Sequence, residues 1–154
     1  MHEIFSYIGE VSQQSDIKRV VEGAAEKFLK NNPSSLLGND RDKIVDTIMN
    51  LIPAALPYGW FTDKYSVETE AEYLDGDMIC RPDRVMFSKN GDETVIVDYK
   101  FGTLSSSDDN EGEGGSLKKY VNQVKRYKNL FSRMGKGTVK GYLWYVFEKK
   151  IVDV

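Results

Sequence analysis

The spacing of apolar residues changes once along the chain, close to residue 62. Before that point apolar positions recur every three or four residues, as in 17–30, where Ile17, Val21 and Phe28 fall on one face. This spacing is typical of amphipathic helices that pack against a core. The N-terminal part is therefore predicted to be helical, with helices over 2–8, 17–30 and 41–51.

After residue 62 the apolar positions alternate with polar ones, which is the period of β-strands. Three such runs are separated by the turn sequences LDGD and NGDE, and we expect them to pair as an antiparallel meander. The later segment LKKYVNQVKRYKNLFSRM returns to helical spacing, and TVKGYLWYVF follows as a last strand. The pattern predicts an α/β fold in which helices flank a mixed sheet.

The length of 154 residues predicts one domain, 1–154. Its predicted parts are a helical part over 1–62, a sheet over 63–102, a mobile acidic loop over 103–115, and a helix with the last strand over 116–150. The sequence shows neither a signal peptide nor an apolar run of roughly 20 residues, so we expect a cytoplasmic protein without a membrane partner. The single cysteine, Cys80, excludes an internal disulfide, a cysteine zinc cluster and an iron–sulfur cage.

Charge is distributed unevenly along the chain. Residues 63–115 contain 14 acidic and 5 basic residues, whereas residues 116–154 contain 10 basic and 2 acidic ones. This distribution predicts a site with anionic ligands beside a surface that can bind an anion. Five cations of the predicted C-terminal helix either contact phosphates or form a solvated face; they are Lys118, Lys119, Lys125, Arg126 and Lys128.

Two charged residues end the otherwise apolar strand TVIVDYKFG. Because side chains at i and i+2 of a strand share a face, Asp98 and Lys100 are predicted to project together. The preceding strand offers Asp83 in the segment RPDR, where Pro82 predicts a bend or an edge. Two neighbouring carboxylates require a shared proton or a cation, and aspartate oxygens suit Mg²⁺ or Mn²⁺.

These residues resemble the motif of the PD-(D/E)XK nuclease superfamily, an acid on one strand followed by acid–any–lysine on the next. The segments RPDRVMF, VIVDYKFG, QVKRY and GYLWYVF, in this order, resemble the nuclease domain at the C-terminus of RecB- and AddA-type helicase–nucleases. The resemblance covers the chain from Glu70 to its end. It implies a restriction-endonuclease-like core and a metal-dependent DNA exonuclease that acts in double-strand-break repair and recombination.

The resemblance also implies roles for single residues. Asp83 and Asp98 match the two metal-binding catalytic acids, and Lys100 matches the catalytic lysine. The main-chain carbonyl of Tyr99 falls where the family uses a carbonyl as a further ligand of Mg²⁺ or Mn²⁺.

Four further positions match the family, and Glu70 is the weaker match among them. Gln123 and Tyr127 match its QxxxY helix motif, which organises DNA and the catalytic lysine. Glu70 matches a strand glutamate that related sequences often carry. His2 matches a metal-binding histidine on an early helix, although the glycine that usually precedes this histidine is missing here.

The implied partners are DNA, a helicase motor in the same polypeptide and a second subunit. The chain is accordingly expected to be a fragment of a longer helicase–nuclease. One alternative is a catalytically silent nuclease-like domain that binds DNA or a partner subunit. Another is a different nuclease of the superfamily, such as a resolvase, a restriction enzyme or an AddB-like enzyme, although AddB-like enzymes carry four cysteines for an iron–sulfur cluster.

Overall fold

The computed structural model of the chain describes residues 1–33, 40–104 and 115–154. The chain divides into two compact units, Met1–Lys64 and Tyr65–Val154, and the boundary lies close to the predicted change of periodicity. Most of the predicted acidic loop, residues 105–114, lies outside the described residues. That 1–154 folds as one domain stays a prediction.

The N-terminal unit is helical. Its helices are α1 (His2–Ser6), α2 (Ile17–Asn31) and α3 (Arg41–Leu51), followed by 3-10 turns at Ile52–Ala54 and Leu56–Tyr58. The three predicted helices are thus confirmed, and the first ends two residues earlier than expected. α3 is capped by Asp40, whose Oδ1 accepts a hydrogen bond from the Lys43 N–H (3.0 Å). The buried apolar side chains of the N-terminal unit include Ile4, Val21, Phe28 and Ile48.

The C-terminal unit contains a five-stranded mixed sheet and a long helix. The strands are β1 (Tyr65–Thr69), β2 (Tyr73–Asp75), β3 (Met78–Cys80), β4 (Arg84–Ser88), β5 (Glu93–Lys100), β6 (Thr138–Tyr145) and β7 (Lys150–Asp153), and the helix is α4 (Gly115–Arg133). The sheet order is β1-β4-β5-β6-β7. Only β5 and β6 pair in parallel, with α4 between them in the chain. The predicted α/β class with a mixed sheet is confirmed.

The meander β1-β4-β5 is confirmed, but its first two strands are interrupted. The predicted first strand ends at Thr69, because Glu70 has a left-handed backbone conformation (φ 54°). The predicted second strand is instead divided into β3 and β4, and the break includes Pro82, where a bend or an edge was expected. Between these two breaks, β2 and β3 form a separate two-stranded hairpin. Strand β7 was not predicted.

Helix α4 covers one face of the sheet. Side chains of β3, β4 and β5 form a buried apolar cluster with α4, composed of Cys80, Val85, Ile96, Tyr127, Leu130 and Phe131. On β6, Gly141 lets the helix approach closely, since a Cβ at this position would lie 2.5 Å from Val124 Cγ1. Among the described residues, no helix combines the length and the hydropathy needed to cross a membrane.

Candidate functional site

Asp83 and Asp98 hold each other in place through the backbone. The Asp83 N–H donates to Asp98 Oδ1 (3.2 Å), and the Tyr99 N–H donates to Asp83 Oδ2 (2.7 Å). The break at Pro82 and the pairing of Arg84 with Val97 bring the two acids to the same end of neighbouring strands. Asp98 is only 4 % exposed, and a carboxylate that is so buried needs such polar partners.

Lys100 lies beside Asp98, on the sheet face that α4 covers. Its Nζ is 4.0 Å from Asp98 Oδ2, and the lysine side chain is 18 % exposed. The same Nζ lies 4.0 Å from the centroid of the Tyr120 ring, which is a cation–π distance. An acid on the strand and an aromatic ring on the helix therefore contact one ammonium group, which restricts where that group can be.

Glu70, the residue directly after β1, lies at the same site. Its N–H donates to the Asp83 carbonyl (3.1 Å), and Arg81 Nε lies 3.1 Å from both the carbonyl oxygen and Oε2 of Glu70. One carboxylate oxygen of Glu70 and one of Asp83 lie within 4.8 Å of each other. A non-glycine residue with positive φ is uncommon, and these bonds hold Glu70 in that conformation next to the acids.

The neighbouring carboxylates of Glu70 and Asp83 offer oxygen donors of the kind that a hard divalent cation such as Mg²⁺ or Mn²⁺ prefers, and backbone hydrogen bonds place Asp98 next to Asp83. Two further ligands expected from the sequence stay predictions, the Tyr99 carbonyl and His2. Tyr99 lies within this site on β5, between Asp98 and Lys100. His2 is the exposed first residue of α1, in the N-terminal unit.

The two residues of the QxxxY motif occupy different environments on α4. Tyr127 is buried in the apolar cluster beneath the site. Burial, and next the negative charge of Asp98, raise the pKa of the Tyr127 phenol to about 12, so the phenol keeps its proton at neutral pH. Gln123 is exposed and lines a cleft together with Lys100.

This cleft runs between the end of β5 and α4. Its volume is about 600 Å³, and it is lined by Lys100, Lys119, Tyr120, Asn122, Gln123 and Arg126. Three of these six residues are cationic and none is acidic. The cleft therefore presents positive charge directly next to the carboxylates Asp83 and Asp98.

Two contributors to the site were not predicted from the sequence. Tyr120 lies three residues before Gln123, and this spacing on a helix was available as a signal that both share a face. Arg81 belongs to the RPD segment, but only the β2–β3 hairpin brings it back to Glu70, and no spacing in the sequence indicates that contact.

No protein-family model matches the chain, and a search of curated proteins gives no match either. The features of the site that bear on function are the two carboxylates linked by backbone hydrogen bonds, Asp83 and Asp98, the lysine beside Asp98, and the adjoining cationic cleft.

Proposed function

We propose that this protein is a metal-dependent deoxyribonuclease that hydrolyses phosphodiester bonds. The observation that carries the proposal is the arrangement of Asp83, Asp98 and Lys100. The two acids are linked by hydrogen bonds from backbone N–H groups, and Lys100 Nζ lies 4.0 Å from Asp98 Oδ2. Anionic ligands for a cation and a cationic group for the substrate phosphate thus stand side by side.

Asp83 and Asp98 would hold Mg²⁺ or Mn²⁺, with Glu70 as a third carboxylate and with the Tyr99 carbonyl and His2 as the further predicted ligands. A divalent cation bound there polarises the phosphoryl group and lowers the pKa of a bound water. The backbone N–H groups of Asp83 and Tyr99 each occupy one carboxylate oxygen, which fixes how the acids present their other oxygens.

Lys100 would supply positive charge where the substrate becomes more negative. Its ammonium stabilises the charge that grows on the phosphoryl oxygens in the transition state and orients the attacking water. Because Asp98 and Tyr120 restrict this ammonium, little reorganisation is needed when the substrate reacts. Gln123, in the same cleft, offers an amide that can hydrogen-bond the DNA strand.

The finer assignment is to a restriction-endonuclease-like core in the nuclease domain of a RecB/AddA-type helicase–nuclease. It is supported by the motif order in the sequence, and by three antiparallel strands followed by a crossover helix to a parallel strand. Under this assignment the partners are DNA, a motor in the same polypeptide and a second subunit. The biological role would be the processing of DNA double-strand breaks.

The test is cleavage of labelled single-stranded and double-stranded DNA by the purified chain, with Mg²⁺, Mn²⁺ or EDTA. We expect metal-dependent cutting that Lys100→Ala reduces about 100-fold or more, the range found when a group that stabilises transition-state charge is removed. The matched control is Lys89→Ala, which removes an exposed lysine in the turn between β4 and β5.

Thermal unfolding of both variants verifies that each is folded. Full activity of a folded Lys100→Ala variant would contradict the mechanism. DNA binding without cleavage in every metal would favour the catalytically silent alternative.

A further inference from the structure

We propose that the cleft between β5 and α4 binds the sugar–phosphate backbone of one DNA strand, and that Lys119 and Arg126 are its phosphate-binding residues. This inference rests on the proposed function, because it names the form of the substrate that reaches Lys100. It assigns different roles to lysines and arginines that lie close together on one helix.

The lining residues of α4 share one face of the helix. Lys119, Gln123 and Arg126 follow one another at i, i+4 and i+7, with Asn122 beside them. Lys119 and Arg126 are about 10 Å apart along the axis, at 1.5 Å per residue, so together they span more than one nucleotide. Lys100 lines the same cleft from the sheet, so the proposed catalytic lysine and the helix contacts border one space.

Arg126 has hydrogen-bonding capacity that the described residues do not use. Its Nε is buried and has no hydrogen-bond partner among them. Its Nη2 donates to the weak acceptor Cys80 Sγ, at 3.4 Å. A guanidinium that lines a cleft and contacts a thiol has further N–H donors, which are suited to a phosphate oxygen.

Other cations of α4 are engaged elsewhere or face away. Lys128 Nζ donates to the Val154 carbonyl (2.6 Å), and Arg133 pairs with Asp75 (2.7 Å). Lys118 and Lys125 are exposed and are not among the lining residues. They are also separated by seven residues, so they provide a control pair with the same charge and the same spacing outside the cleft.

The lining of the cleft favours a single strand. The cleft is open to solvent and carries three cationic side chains, Lys100, Lys119 and Arg126, beside the ring of Tyr120. Cationic side chains that follow the backbone, with an aromatic ring nearby, are the usual elements of a single-strand site. Tyr120 is the aromatic residue of this cleft.

The test measures binding of a labelled single-stranded oligonucleotide by fluorescence anisotropy in EDTA, so that cleavage does not interfere. We expect the double variant Lys119→Ala/Arg126→Ala to bind roughly tenfold more weakly than wild type, through loss of two charged contacts. The slope of log K against log salt should fall by about 1.4, at 0.7 per lost phosphate contact. The control variant Lys118→Ala/Lys125→Ala should change affinity by less than about threefold and leave the slope unchanged. An unlabelled duplex of the same sequence should compete less effectively than the unlabelled single strand.

Because Arg126 also contacts Cys80, a second comparison uses the exposed lysines alone. Lys119→Glu is expected to weaken binding clearly more than Lys118→Glu, and thermal unfolding confirms that both are folded. The inference would be overturned if Lys119→Ala/Arg126→Ala and Lys118→Ala/Lys125→Ala weakened binding equally, or if Lys119→Ala/Arg126→Ala had no effect on binding. A duplex that competes better than the single strand would also overturn it.

The binding test separates this inference from the proposed function. If wild type cuts DNA but the two double variants bind the oligonucleotide equally well, the nuclease proposal holds and the proposal that this cleft binds the strand is wrong. If wild type cuts nothing in Mg²⁺ or Mn²⁺ while the cleft pair alone weakens binding, the cleft stands and the nuclease proposal fails.

Discussion

Lys100 is held between an acid and an aromatic ring, and this environment determines where its ammonium can act. The i, i+2 spacing on β5 was sufficient to predict that Asp98 and Lys100 share a face. The ring of Tyr120 was not predicted, because the contact depends on how α4 lies across the strand. Spacing within one element is thus readable from the sequence, whereas contacts between elements depend on packing.

Removing the Tyr120 ring should therefore impair the proposed cleavage. A cation–π contact contributes about 0.5 to 2 kcal/mol, so Tyr120→Ala is expected to reduce kcat roughly 2- to 30-fold. Tyr120→Phe keeps the ring and is expected to stay within about twofold of wild type. Steady-state cleavage kinetics measure both values of kcat. If Tyr120→Phe were as impaired as Tyr120→Ala, the contact of the ring with Lys100 would not account for the loss of activity.

Tyr127 makes stability depend on pH in the alkaline range. Its pKa rises from 10.0 to about 12 in the folded protein. Below pH 10 the phenol is protonated in both states. Above pH 10 the unfolded chain releases this proton first, so the free energy of unfolding falls until about pH 12.

Replacement of Tyr127 by Phe removes this titration. Relative to Tyr127→Phe, wild type should lose about 1 kcal/mol of stability between pH 10 and pH 11. Urea unfolding of both proteins at the two pH values measures the difference, and the comparison cancels the other groups that titrate there. A constant difference between the proteins would contradict the raised pKa of Tyr127.

Among the elements, the strongly periodic ones were predictable and the interrupted ones were not. α2, α3 and β5 match the apolar spacing closely because each buries one continuous face or a whole strand. The alternating run from Tyr65 was expected to continue through Tyr73. The positive φ of Glu70 ends it after Thr69, and a glutamate gives no sequence signal for such a conformation.

The approach of α4 to β6 is the contact between elements that is most sensitive to a small change. A methyl group at Gly141 would lie 2.5 Å from Val124 Cγ1 and 2.9 Å from Lys128 Cδ, so Gly141→Ala must displace these side chains or the helix that carries them. We expect a loss of about 1 to 3 kcal/mol in stability, as for other overpacked cores. Denaturant unfolding is the measurement.

Gly23→Ala is the matched control for this substitution. Gly23 lies inside α2, and nothing lies within 4 Å of the position that its Cβ would take. This replacement should stabilise the protein by about 1 kcal/mol, because alanine is the better helix former. A stabilising effect of Gly141→Ala would contradict the close approach of α4 to β6.

On the scale of the whole molecule, the candidate site combines residues that are distant in the chain. Glu70, Asp83 and Asp98 come from three segments that strand pairing brings together. The pairing of Asp83 with Asp98 was predictable, because neighbouring antiparallel strands and Pro82 indicated it. The role of Arg81 was not, since it depends on an inserted hairpin.

The most direct test of the central claim is the rate of DNA cleavage measured as a function of Mn²⁺ concentration, for wild type and for Asp98→Asn. The claim is that Asp83 and Asp98 hold the cation used in phosphodiester hydrolysis. We predict a wild-type rate that is zero in EDTA and saturates with Mn²⁺, and an Asp98→Asn rate at least about 100-fold lower at the same concentrations. A wild-type rate that is unchanged by EDTA, or a folded Asp98→Asn variant with the wild-type curve, would contradict the claim.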